Sequence, residues 1–171
     1  MGNDLRSEIE LARTSIGQEG ATGNVLAVSL ATAQLVNSRS EASDRSALTS
    51  PRVIEGYCAA GRLEQSELGG AVGKPLPAGV ADSILDGMRG AVAYGTAVEL
   101  SDAGRALAAK TGTADTSDPT YPVNSWITAV IDNRWVLTVV VHTASDGAQA
   151  SSVADDLIEQ FPASFSEPSC S

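Results

Sequence analysis

The sequence predicts an α+β fold in which an antiparallel sheet is flanked by helices. Three segments in the second half of the chain, residues 105–113, 126–131 and 135–141, are predicted to be strands: the first contains the apolar residues 106–109, and the other two are rich in β-branched residues. Asp132 and Asn133, between the last two runs, predict a two-residue hairpin connection. Helical patterns precede and follow these strands, which is typical of a sheet covered by helices.

Two helices are predicted before the strands. Residues 25–36 form a mostly apolar run that Asn24 or Ser29 can cap, and its all-round apolarity indicates burial on several sides. The second helix takes Pro77 as its first helical residue and ends at Gly95. One apolar stripe along this helix is predicted to pack inward: Val80, Ile84, Leu85, Met88 and Val92.

The segments around these elements are also distinct in the sequence. Residues 37–50 are polar and are expected to form a surface excursion, and residues 162–171 are expected to form a tail. The run 135–141 is almost continuously apolar, which predicts that both faces of this strand are covered. A last helix is predicted over residues 148–160, with four inward-facing residues, Val153, Leu157, Ile158 and Phe161.

The composition excludes several classes of function. A chain of 171 residues with 43% hydrophobic and 19% charged residues fits one ordered domain. The net charge of −10 and the scattered basic residues argue against binding of nucleic acid and against a polybasic membrane patch. The sequence contains no apolar stretch long enough to span a bilayer, and the N-terminal residues do not have the pattern of a signal peptide.

The two cysteines do not form a disulfide framework or a zinc-binding set. Cys58 and Cys170 could pair in an oxidising compartment. Because Cys170 lies one residue from the end of the sequence, where tails are usually loose, we expect two unpaired thiols rather than a disulfide. We expect no metal and no cofactor.

The segment Lys110-Thr111-Gly112-Thr113-Ala114 is the strongest candidate for a functional site. A cation and two hydroxyl groups at a strand end suit an anion such as a carboxylate, and Gly112 lets a ligand or another backbone approach closely. A phosphate loop beginning at Gly104 is rejected, because Ala109 stands where that motif needs glycine and no helix follows. The simplest alternative is a strand end with an exposed lysine.

The order of five short motifs resembles the transpeptidase domain of penicillin-binding proteins, the enzymes that cross-link peptidoglycan. The resemblance covers residues 15 to about 160 and includes a Lys-Thr-Gly strand. The matching motifs are Ser15-Ile16-Gly17-Gln18, Val28-Ser29-Leu30 with Asn37, Gly95-Thr96-Ala97, Lys110 to Ala114, and Trp126. The resemblance implies a β-lactamase-like α+β fold, of which residues 1–171 form the C-terminal portion as a single partial domain.

The resemblance also implies roles for the residues of the Lys-Thr-Gly strand. Lys110, Thr111, Gly112 and the Thr113 hydroxyl would bind the carboxylate of a peptidoglycan stem peptide or a β-lactam. The backbone N–H of Thr113 would supply half of an oxyanion hole. The resemblance further implies an extracytoplasmic location, and we expect the membrane anchor to lie in an N-terminal segment missing from this sequence.

The nucleophile of the family does not occur in this sequence. Lys74 and Lys110 are the only lysines, and Ala71 and Leu107 stand three residues before them, so no Ser-x-x-Lys motif exists. The Ser-x-Asn motif is absent too. Cys58 and the lone His142 have no partner group in the sequence that would make them a nucleophile or a base.

Three hypotheses follow. The first is a segment of a penicillin-binding D,D-transpeptidase, inactive alone and completed by the remaining N-terminal part on the same or a separate chain. The second is a non-catalytic binding or scaffold module that kept the transpeptidase sheet, and the third is an unrelated small α+β domain. A neighbouring segment with Ser-x-x-Lys and Ser-x-Asn would favour the first hypothesis over the second.

Overall fold

The computed structural model describes residues 8–18, 22–39, 48–54, 56–65, 69–116, 118–162 and 169–170. The predicted excursion and tail therefore lie partly outside the described residues. The described helices and strands are, in chain order, α1 (Glu8–Ser15), α2 (Val25–Asn37), β1 (Leu48–Thr49), β2 (Gly56–Ala59), β3 (Arg62–Gln65), β4 (Ala71–Val72), α3 (Ala78–Tyr94), a 3-10 helix (Val98–Asp102), β5 (Leu107–Asp115), β6 (Val123–Ile131), β7 (Trp135–Ala144) and α4 (Gln149–Ile158).

The centre of the fold is a three-stranded antiparallel sheet in the order β5-β6-β7. The predicted α+β architecture is confirmed, but all three strands are longer or shifted relative to the prediction. In the first pair, the register runs without a break from Leu107 opposite Ile131 to Asp115 opposite Val123. The strands therefore extend into polar residues such as Asp115 and Asn124. Pairing with the neighbouring strand satisfies the backbone N–H and C=O groups of these residues, whatever their side chains are.

A tight connection joins β6 to β7, as the sequence predicts. Ile131 pairs with Trp135, so the connection has the three residues 132–134 instead of the two that we expected. Asp132 and Asn133 both have positive φ, at 52° and 56°, a conformation that these two residue types tolerate better than most. The hairpin predicted from Asp132 and Asn133 is therefore confirmed, although its connection is one residue longer than expected.

One face of the sheet packs on α4 and on the 3-10 helix. Alternate residues of β5 and β6 point to this face, and helix α4 contributes the buried Ala150, Ala154 and Ile158. Val153 is 41% exposed, so the prediction that it packs inward was wrong. Ala154, the next residue along the chain, takes that place.

Helices α2 and α3 cover the opposite face. Leu85 and Met88 of α3 pack on Ala108 of β5 and Val130 of β6. Helix α2 begins after Asn24, whose Oδ1 accepts a hydrogen bond of 2.8 Å from the Ala27 N–H, so Asn24 is the cap. The coverage predicted for both faces of β7 is confirmed, because α2 lies on one face and α4 on the other. None of the helices in these described ranges is long and apolar enough to cross a bilayer.

The apolar stripe predicted for α3 was only partly correct. Leu85, Met88 and Val92 are buried, but Val80 and Ile84 are 47% and 42% exposed. Each of these two precedes a buried residue, Ala81 or Leu85, by one position, which rotates it by about 100° away from the sheet. Pro77 is the N-cap instead of the first helical residue, a shift of one position.

The expectation of two unpaired thiols was wrong. Cys58 in β2 and Cys170 form a disulfide, with their Cα atoms 5.9 Å apart. The hairpin of β2 and β3 brings Cys58 to the C-terminal residues although 112 positions separate the two cysteines in the sequence. The disulfide therefore holds Cys170 in place, whereas residues near a chain end are usually loose when no such bond fixes them.

Candidate functional site

The candidate site lies on β5, whose outer side pairs with no other strand in the described part of the chain. Two hydrogen bonds fix the direction of the backbone groups on this strand. Thr116 N–H donates to the Pro122 carbonyl at 2.8 Å, and Asp132 N–H donates to the Ala106 carbonyl at 2.8 Å. Since backbone groups alternate along an antiparallel strand, even-numbered residues of β5 face β6. The N–H and C=O groups of Thr111 and Thr113 therefore point outward.

The Lys110 side chain lies on the face of the sheet that α2 and α3 cover, at the exposed rim. Its Nζ donates to the outward carbonyl of Thr111 in a short hydrogen bond. The ammonium group thus sits at the outer edge of the strand, close to the residue that follows it. Its positive charge is available there to an anion that approaches the edge.

The Thr111 side chain lies on the other face of the strand and is half-buried. Its hydroxyl forms a hydrogen bond of 2.6 Å with the hydroxyl of Thr96, in which either oxygen can donate. Thr96 follows the end of α3, and Gly95 before it has extended backbone geometry. The sequence singled out Gly95-Thr96-Ala97 as a motif but did not predict this contact with Thr111.

Gly112 and Thr113 follow Thr111 along β5. Gly112 lies opposite Trp126, and a Cβ on it would stand 3.5 Å from the Trp126 Cβ, which is ordinary contact. Thr113 is exposed, and its hydroxyl packs against Gly147, the residue two positions before α4. The N–H of Thr113 thus points to the outer edge of β5, whereas its side chain points to the turn before α4.

The support beneath Thr113 comes from a buried serine. Ser125 is opposite Thr113 in the register and is fully buried. Its Oγ donates to the Gly147 carbonyl at 2.7 Å and accepts from the Ala150 N–H at 3.0 Å. The first turn of α4 is therefore bound to β6 directly under the candidate oxyanion residue.

An apolar cavity of about 420 Å³ opens beside Lys110, between α2 and α3. The residues that line it are Thr32, Leu35, Ile84, Gly87, Met88, Lys110 and Thr128. Thr128, which lies opposite Lys110 in the sheet, belongs to a chain of hydroxyls with Thr32 at 3.1 Å and Thr138 at 3.0 Å. These hydroxyls satisfy one another, so the cavity is apolar except at the lysine end.

The alternatives considered from the sequence do not form sites here. Lys110 lies within a strand and no helix follows it directly, which contradicts a phosphate loop. The exposed His142 lies on β7, which β6 separates from β5, and its Nδ1 is 3.3 Å from Oδ1 of Asn124. Cys58 is in a disulfide and cannot act as a thiolate nucleophile.

The fold and this edge define an α+β domain in which the outer edge of β5, free of a strand partner among the described residues, presents a lysine, a threonine hydroxyl and outward backbone N–H groups. A comparison with protein families matches residues 2–161 to the family described as "Penicillin binding protein transpeptidase domain". The chain belongs to this family, as the motif order predicted. A search among curated proteins found no significant match.

Proposed function

We propose that this chain supplies the carboxylate-binding edge and half of the oxyanion hole of a peptidoglycan D,D-transpeptidase. The observation that carries the proposal is the arrangement on β5, where the Lys110 ammonium and the outward backbone groups of Thr111 and Thr113 share one unpaired edge. The membership of the transpeptidase family gives this arrangement its chemical context. The ligand would be a stem peptide or a β-lactam, both of which carry a carboxylate.

In this proposal the carboxylate binds between the Lys110 ammonium and the Thr111 hydroxyl. An ionised carboxylate only accepts hydrogen bonds, so Thr111 has to donate its proton to the ligand. Thr96 then has to donate to the Thr111 oxygen, which polarises the Thr111 hydroxyl and strengthens its bond to the carboxylate. Thr96 therefore fixes the direction of the hydrogen-bond chain without having to touch the ligand.

The scissile carbonyl would lie against the Thr113 N–H. An outward N–H on a strand supported from below by Ser125 and Gly147 is held in place before the reaction begins. Such a donor stabilises negative charge on the carbonyl oxygen at little reorganisation cost. The Thr113 hydroxyl faces Gly147, so the backbone is the part of Thr113 best placed for this role.

The attacking serine and its lysine would come from a segment outside these 171 residues, because the sequence contains no Ser-x-x-Lys. The second candidate is a binding or scaffold module that recognises the ligand without acylation. The disulfide between Cys58 and Cys170 supports an extracytoplasmic location, since disulfides persist in oxidising compartments.

Labelling with a fluorescent penicillin tests the proposal. The chain alone should form no covalent adduct that survives denaturation, and co-expression with a transpeptidase segment carrying Ser-x-x-Lys and Ser-x-Asn should produce one. Lys110→Ala should then reduce the labelling rate by roughly 30-fold or more, as expected for a partly desolvated charge pair. Labelling that ignores Lys110→Ala would contradict the role of β5, and a complemented protein that never labels would favour the scaffold module.

A further inference from the structure

Gln18 contacts the candidate oxyanion residue from a distant part of the sequence. Its side-chain Nε2 donates a hydrogen bond of 3.0 Å to the carbonyl of Thr113, 95 positions further along the chain. This carbonyl points outward from β5, to the side where no strand of the described residues pairs. Gln18 therefore gives Thr113 a hydrogen-bond partner on its unpaired side.

The turn that ends α1 determines the position of Gln18. Gln18 N–H donates to the Arg13 carbonyl at 2.9 Å, and Gly17 N–H donates to the Thr14 carbonyl at 3.0 Å. These two bonds, with Gly17 at a φ of 85°, form a Schellman motif. The motif fixes the backbone on both sides of Gly17 and therefore the position of the Gln18 Cα atom. The hydrogen bond to Thr113 then costs little backbone conformational entropy.

We propose that Gln18 is a positioning residue for Thr113 in the candidate site, an inference that rests on the proposed function. Among the described residues, the part of β5 beyond Gly112 has backbone hydrogen bonds to β6 on one side and the bond from Gln18 on the other. By fixing the Thr113 carbonyl, Gln18 restrains the backbone of this residue and keeps its N–H directed to the ligand. The carbonyl oxygen has two lone pairs, so it can accept from Gln18 and from a ligand N–H together.

The variant Gln18→Glu tests this inference, because glutamate has nearly the same shape but cannot donate when it is ionised. The probe is an N-acylated D-Ala-D-Ala peptide with a free carboxylate, titrated non-covalently into the 171-residue chain. At pH 7 the variant should bind about fivefold more weakly, the effect of one lost neutral hydrogen bond. The Thr113 carbonyl ¹³C resonance should shift in the free variant, because the carbonyl has lost its donor.

The pH dependence separates a group that titrates at position 18 from a general structural effect, and Gln18→Met, which is neutral and has no donor, separates the lost hydrogen bond from repulsion between the new carboxylate and that of the ligand. A Glu side chain is protonated below its ordinary pKa of about 4.3 and then donates through its O–H. The affinity of Gln18→Glu relative to the wild type should therefore recover as the pH falls through that range. Gln160→Glu is the matched control, since the exposed Gln160 also donates to a backbone carbonyl, that of Asp156, and follows the C-terminal end of α4, whereas Thr113 contacts Gly147 before its N-terminal end. It should leave binding unchanged.

Each outcome decides between the inference and the proposed function. If Gln18→Glu binds as tightly as the wild type at pH 7 while Lys110→Ala binds more weakly, the inference is wrong and the function stands. If the wild type does not bind, or if Lys110→Ala does not change the affinity, the proposed function is wrong and the inference, which rests on it, is wrong too. If a melt shows Gln18→Glu unfolded, Gln18→Met replaces it; it should bind as weakly without recovery in acid, and wild-type affinity would overturn the inference.

Discussion

The contact between Gly147 and Thr113 predicts a destabilising substitution that a second substitution removes. A Cβ on Gly147 would stand 2.3 Å from the Thr113 Oγ1, a distance that real side chains do not adopt. The Cβ and Cγ2 atoms of Thr113 would be 3.5 Å away, which is ordinary contact. Gly147→Ala therefore conflicts with one atom, the hydroxyl oxygen of Thr113.

The expected cost follows from two opposing effects. Overpacking of this kind costs about 1–3 kcal/mol. Because Gly147 does not have a positive φ, alanine also restricts the unfolded chain, which stabilises by roughly 0.4–1 kcal/mol. Gly147→Ala should thus lower the free energy of unfolding by about 1–2 kcal/mol. In a Thr113→Ala background the conflicting oxygen is gone, and the same change should cost about 0 kcal/mol or stabilise slightly.

The assay is a double-mutant cycle by urea unfolding with the wild type, both single variants and the double variant. A coupling of about 1–3 kcal/mol, the whole cost of overpacking, is expected because the two residues are in direct contact. The Thr113→Ser background is the matched control, since serine keeps the hydroxyl and should keep the penalty. An equal cost of Gly147→Ala in the wild-type and Thr113→Ala backgrounds would refute the packing of Thr113 on the turn before α4.

The remaining predictions concern stability. Arg105, whose side chain is 14% exposed, binds Asp132 at 2.5 Å and the carbonyls that follow α4, so Arg105→Ala should cost about 2–3 kcal/mol. Arg89→Ala, in an exposed ion pair on α3, should cost less than about 0.5 kcal/mol in the same urea titration, and equal costs would contradict this difference. Hydrogen bonding to Arg105 lowers the pKa of Asp132, so the ion pair stabilises fully above the unfolded carboxyl's pKa of about 3.9 and is lost as the pH falls through the lower folded value. The Arg105→Ala penalty, measured against pH, should therefore shrink in acid; a constant penalty would mean that the carbonyl contacts carry it all. Reduction of the disulfide, or Cys58→Ser, should lower the free energy of unfolding by about 2–4 kcal/mol, and an unchanged melt would show that Cys170 does not hold the chain end.

The sequence was informative wherever a local pattern determines the structure. The apolar residues before Lys110 predicted a strand, and the pair Asp132-Asn133 predicted the hairpin, because both depend on neighbouring residues. The stripe on α3 was predicted only in part, since Val80 and Ile84 lie next to buried positions and a change of one residue rotates the face by about 100°. Hydropathy alone does not distinguish two adjacent stripes that are both apolar.

Contacts between distant segments could not be predicted from local patterns. The bond from Gln18 to Thr113 spans 95 positions, and the bond from Thr96 to Thr111 spans 15. The hydrophobic periodicity around Gln18 and around Thr96 does not indicate which residue each of them contacts. Both Gln18 and Thr96 nevertheless lie in motifs on which the family resemblance rests. The disulfide of Cys58 was missed for the same reason, because the position of Cys170 depends on the folded chain.

The most direct test of the central claim is to map the backbone N–H groups that respond when a carboxylate ligand binds. The probe is the N-acylated D-Ala-D-Ala peptide, and its C-terminal amide is the control because it keeps the backbone but has no carboxylate. We predict that the acid shifts the NMR resonances of Thr111 and Thr113 and of the Lys110 side chain, and that the amide causes much smaller shifts. Equal shifts from acid and amide, or shifts centred away from the outer edge of β5, would contradict the account.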